Sequence, residues 1–102
     1  MYKIENKIPV YFLPGLAANP SIFKNIQLDP DRFEIHFLEW MIPYHEESIS
    51  EYALRFCSKV KHSNAVLVGV SFGGIIAQEM NLVQSFRKII IISSVKSRQE
   101  LP

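Results

Sequence analysis

Ser71 sits in the stretch "VLVGVSFGGIIAQEM" (Val66–Met80), with Gly69 two residues before it and Gly73 two residues after it. A serine placed at a sharp strand-to-helix turn can act as a nucleophile toward a carbonyl carbon, and small residues at those two places let the strand and the helix approach each other. Such a turn lifts the hydroxyl to the N-terminus of the next helix, where the helix dipole favours developing negative charge. The backbone N–H of Phe72 then faces the space in which a carbonyl oxygen gains charge. A second donor has to come from another loop, and Leu16, in the loop at Gly15–Ala17, offers one. Two donors of this kind contribute on the order of 3 kcal/mol each to an acyl-transfer transition state. The spacing of Gly69, Gly73 and Gly74 fits neither G-x-G-x-x-G nor G-x-x-x-x-G-K-[ST], which argues against a phosphate-binding loop.

A serine hydroxyl needs a base, because without one it stays largely protonated. All three histidines precede Ser71. His36 falls in the middle of an alternating segment and reads as a packed or edge-facing side chain. His62 reads as the end of a long helix, where a cation suits the dipole. His45 lies in "WMIPYHEES", the loop after the second strand, and is the one histidine that topology brings toward the end of the sheet carrying Ser71. In that loop Trp40, Met41 and Tyr44 read either as the lining of an apolar substrate pocket or as a surface loop. The acids of "HEE" read as a solvated helix start, and Cys57 as a core residue.

The elements that must position these residues follow from the apolar pattern. "KIPVYFLPG" reads as a strand in which Pro9 is tolerable near the start. In "ANPSIFKNIQL", Asn19 can cap a helix with Pro20 in its first position, and Ile22, Phe23 and Ile26 share a face. "FEIHFLEW" alternates as a strand does. "SISEYALRFCSKVKH" is the strongest helix: Ser48 and Glu51 form a capping box, and Ile49, Tyr52, Ala53, Phe56, Cys57 and Val60 make one stripe. "AVLVGV" and "KIIIISS" are continuous apolar runs, the pattern of parallel strands buried on both faces. The order β-α-β-α-β-α-β predicts a doubly wound α/β domain with about four parallel strands in order 2-1-3-4 and helices on both faces. The switch point between the first and third strands sets the Gly15–Ala17 loop beside Ser71.

On "GVSFGG" as a nucleophile elbow and "YFLPGLAANPSIF" as strand, oxyanion loop and helix, the chain resembles the α/β-hydrolase superfamily. The resemblance spans nearly all of residues 1–102 but only the N-terminal half of that fold, so it implies a single, partial α/β-hydrolase domain. Many members begin the oxyanion loop His-Gly, where this chain has Pro14-Gly15. The resemblance implies Ser71 as nucleophile, an acid and then a histidine after it in chain order, and no cofactor or metal. Only Glu79 and Glu100 follow Ser71 among carboxylates, and no histidine does. Glu100 is the one position matching members that carry the acid after the sixth strand. The triad acid and histidine are therefore expected outside this chain.

Composition sets the remaining bounds. The 102 residues are 48% hydrophobic and 21% charged, with a net charge of +1. Such a chain can bury a core of its own, and the charge argues against nucleic acid or an anionic membrane as partner. A lone cysteine excludes a disulfide framework, and neither a signal peptide nor an 18-residue apolar run is present, so a cytoplasmic location is the expectation. As an edge strand, "KIIIISS" would be an apolar template for pairing. The expected partner at Ile89–Ile92 is a missing C-terminal half or a second subunit. The leading expectation is a serine hydrolase of carboxylic esters or thioesters, inactive as this chain alone. The alternative is a non-catalytic module, hydrolase-like or flavodoxin-like, that pairs through the last strand. A flavodoxin-like turn implies an unstrained backbone at Ser71.

Overall fold

A computed structural model describes residues 7–13 and 28–92. They form, in chain order, β1 (Ile8–Leu13), β2 (Phe33–Phe37), α1 (Ile49–Cys57), β3 (Val66–Val70), α2 (Phe72–Val83) and β4 (Lys88–Ile92). The four strands make one parallel sheet in the order β2-β1-β3-β4, as the apolar pattern predicts. Pro9 is accommodated because Ile8 donates toward β2, to the Arg32 carbonyl at 2.9 Å. Alternation turns the Pro9 nitrogen toward β3, whose register with β1 begins only at Val10.

The capping box of α1 is complete: the Glu51 N–H donates to Ser48 Oγ at 3.0 Å, and the Ser48 N–H donates to Glu51 Oε1 at 2.9 Å. Tyr52, Ala53, Phe56 and Cys57 are buried, and Val60 stays on the same buried side although the helix has ended. These residues join Tyr11, Leu13, Leu67, Ile76, Ala77 and Met80 in one core between the sheet and the helices. The thiol of Cys57 is pushed up by burial, in keeping with a packing role.

Both described helices cover the same face of the sheet. The steps β2 to β3 and β3 to β4 cross the sheet in the same direction, and right-handed crossovers then set α1 and α2 side by side. The opposite face, built on Val10, Phe12 and Val68, carries an apolar groove of about 460 Å³ that Phe33, Ile90 and Ile92 also line. Helices on both faces are therefore not what the described residues show. The helix expected from Pro20, with Ile22, Phe23 and Ile26, lies outside them.

Burial on both faces holds for β3, where Leu67 and Val68 are 0% and 5% exposed. It does not hold for β4: Ile90, Ile91 and Ile92 each keep 38% of their surface exposed. The reason is position. β4 ends the sheet among the described residues, with β3 on one side only.

Candidate functional site

The turn from β3 into α2 is shaped by one absent side chain. A Cβ on Gly69 would lie 2.5 Å from the Gly73 oxygen and 2.6 Å from the Gly74 Cα. Strand and helix thus touch backbone to backbone, and the chain has a single residue, Ser71, between the end of β3 at Val70 and the start of α2 at Phe72 in which to turn. Ser71 absorbs the bend with φ 55° and ψ −125°. Among the described residues only Glu46, at φ 59°, shares a positive φ, and neither residue is a glycine. A side-chain-bearing residue held there stores of the order of 1–3 kcal/mol of strain. The turn is fastened on both sides: the Ser71 N–H donates to the Ile92 carbonyl at 3.3 Å, and the Gly74 N–H donates to the Ser71 carbonyl at 2.9 Å.

Ser71 is the N-cap of α2 by position, yet its side chain makes no capping hydrogen bond. Its residue is exposed, Phe72 is half-buried, and Gly73 is buried against β3. The hydroxyl therefore stands at the carboxyl end of the sheet, at the positive end of the α2 dipole. The second proposed donor, Leu16, and its support Gly15 lie outside the described residues, as does Glu100.

The loop after β2 reaches this turn through aromatic packing. Trp40 lies against Phe72 with ring centroids 5.7 Å apart, and also against Tyr52 and Phe56. Met41 is pinned to α1, its carbonyl accepting from the Tyr52 hydroxyl at 2.6 Å and its N–H donating to the same oxygen at 3.0 Å. Trp40 and Met41 thus pack on the core, while Tyr44 is 67% exposed with the Arg55 guanidinium 3.8 Å above its ring. His45 is 95% exposed and faces Glu46 at 3.7 Å.

The reading of "HEE" as a solvated start of helix needs correction. The helix begins at Ile49, and the Glu47 side chain is only 5% exposed. Its two carboxylate oxygens take a fork from Arg55, Nε to Oε2 at 2.6 Å and Nη2 to Oε1 at 2.7 Å. Arg55 also donates to the Ile42 carbonyl at 3.0 Å, so one guanidinium ties the loop to α1. The hydrogen bonds from Arg55 hold the Glu47 carboxyl below its usual range. A carboxyl lowered in the folded state adds stability that is complete above its unfolded value of about 4.3 and is lost as the pH falls through the folded value. The melting temperature should fall across that acid window, and Glu47→Gln should flatten the fall; thermal melts of both proteins from about pH 6 to pH 3 make the comparison. Equal acid limbs for the two proteins contradict it.

The other histidines stand elsewhere. His62 is not a helix-end charge, because α1 stops at Cys57 and His62 lies in the connection to β3. It reaches across to the sheet instead, where its Nδ1 is 2.8 Å from the Tyr11 hydroxyl and its Nε2 3.2 Å from Glu34 Oε2. His36 is stacked on Tyr11, with ring centroids 4.5 Å apart and planes 11° from parallel, and its Nε2 is 2.6 Å from the same Glu34 oxygen. The hydrogen bond from His36 keeps the Glu34 carboxyl below its usual range. The spacing Glu34-x-His36 on an alternating strand put two polar groups on one face. No periodicity announced that His62 would join them.

No protein-family model, curated protein or solved structure matches this chain. Among the described residues, no helix is long and apolar enough to cross a membrane.

Proposed function

We propose that this chain carries the nucleophile of a serine hydrolase acting on carboxylic esters or thioesters by acyl transfer. One observation carries the reading: a serine, not a glycine, occupies φ 55° at a strand-to-helix turn whose closeness depends on Gly69. Strain of that sort persists where the surroundings over-determine it, and it concentrates at reacting groups. In this reading Ser71 attacks the acyl carbon, and the N–H groups of Phe72 and Leu16 stabilise the oxyanion. Trp40 braces the turn through Phe72. The base and acid come from a polypeptide that pairs along the exposed Ile89–Ile92 edge, either the remaining half of the fold or another subunit. The working location is the cytoplasm, and no cofactor takes part.

A fluorophosphonate probe tests this directly. Ser71 should be labelled when the chain is combined with a polypeptide that supplies the base and acid, only residually in the chain alone, and not at all in Ser71→Ala. Turnover of p-nitrophenyl acetate by the isolated chain, abolished in Ser71→Ala, would show that the base lies within these residues. The exposure of three successive isoleucines on β4 favours a second reading, a non-catalytic module that docks by strand addition. Absence of labelling under both conditions selects it.

A further inference from the structure

Glu34 and His36, on β2 at the end of the described sheet opposite β4, and His62, in the connection from α1 to β3, bring one carboxylate oxygen and two imidazole nitrogens within 4.8 Å of one another. We propose that these three side chains bind a divalent transition-metal ion of the zinc class, clipping β2 to the connection between α1 and β3. The donor set is the first reason. Two imidazoles and one carboxylate suit zinc and its first-row neighbours, whereas magnesium and calcium prefer oxygen alone. Three protein ligands leave one position of a tetrahedron to water.

Geometry is the second reason. Two atoms each about 2.0–2.1 Å from a tetrahedral zinc lie roughly 3.3 Å apart. Glu34 Oε2 and His62 Nε2 already stand at 3.2 Å. His36 Nε2, now at 2.6 Å from that oxygen, has to withdraw by roughly 0.7 Å to meet the same spacing. The three side chains are between 34% and 45% exposed, so an ion can enter from solvent.

The third reason is the support behind the ligands. The Tyr11 hydroxyl lies 2.8 Å from His62 Nδ1 and accepts from the Lys61 N–H at 3.2 Å. A hydroxyl that takes the Nδ1 proton leaves the Nε2 lone pair facing the ion, the outer-shell arrangement that orients histidine ligands. The Tyr11 ring also stacks on His36, and in the sheet the two residues are register partners. One tyrosine on a central strand thus holds both imidazoles. The cluster's β2 lies two strands from β3, which leads into Ser71, and the proposal is independent of the hydrolase reading.

Titration of the purified chain with Zn²⁺ by calorimetry, and with Co²⁺ by visible absorption, tests the site. One equivalent should bind saturably, Co²⁺ giving a ligand-field band, with Mg²⁺ silent. Glu34→Gln and His62→Ala should each weaken binding by at least about tenfold, and Tyr11→Phe by about tenfold through His62 alone. Cys57→Ser should bind as the parent does. Far-UV circular dichroism checks that each variant is folded; Glu34→Gln keeps the side-chain volume and decides the matter should His62→Ala unfold. Unsaturable binding, or full affinity retained in folded Glu34→Gln, overturns the proposal.

Discussion

Gly69→Ala should lower the unfolding free energy by about 3 kcal/mol, at the upper end of what overpacking costs. The added methyl would meet the Gly73 oxygen and carbon and the Gly74 Cα, all backbone atoms within 2.6 Å. No rotamer change can relieve contacts with backbone, so β3 and α2 have to part. β3 is paired on both sides, to β1 and to β4, and Leu67 on the same strand is fully buried. A shift there therefore disturbs the centre of the sheet and the core beneath α2. Urea unfolding of the two proteins measures the difference through the midpoint, with the slope unchanged if the unfolded chain is the same. A loss below about 0.5 kcal/mol, the range of ordinary surface changes, would mean that strand and helix separate freely.

Ser71→Gly should have the opposite sign. Glycine reaches positive φ without a Cβ penalty, so the substitution releases the strain held at φ 55° while adding freedom to the unfolded chain. The first effect is about 1–3 kcal/mol and the second about 0.5–1 kcal/mol, leaving a net gain between about 0 and 2.5 kcal/mol, centred near 1 kcal/mol. Ser71→Ala keeps the Cβ, and with it the strain, so its stability should stay near that of the parent. The three proteins compared in one denaturant series separate strain from hydroxyl chemistry: the gain belongs to glycine alone, whereas both variants lose the fluorophosphonate label. Equal stability of the glycine and alanine variants would mean that the turn stores nothing. The expected result is a protein made steadier by removing the group proposed to react, the trade-off common at sites held under strain.

The strand order was legible because its evidence is local and repeated. Two continuous apolar runs, one alternating run and one Ser48–Glu51 capping box leave few ways to wind four strands. The pinch at Gly69 was legible for the same reason, since two glycines around a serine between strand and helix have a short-range explanation. What stayed hidden depended on contacts between distant residues. Glu47 looks like one of a pair of solvated acids until Arg55, eight residues on, closes a fork around it. His62 seems to end a helix by its spacing, yet the helix stops at Cys57 and the ring turns to Tyr11, 51 residues away. The exposure of Ile90–Ile92 was readable as a problem of edges, although the pattern of four isoleucines by itself points to burial.

The central placement of β1 has a bearing on synthesis. Its left neighbour is Phe33–Phe37 and its right neighbour begins only at Val66, so no hairpin can shelter it early. At ~5–20 residues per second, the ribosome takes roughly 3–10 seconds to deliver the stretch that separates the end of β1 from its second partner. During that interval β2 can pair with β1 on one side, but the other side, where Val10, Phe12 and Leu13 meet Val66, Val68 and Gly69, stays open among the described residues. Yield in cells should therefore respond to nascent-chain chaperones and to lower growth temperature more than the final stability alone suggests.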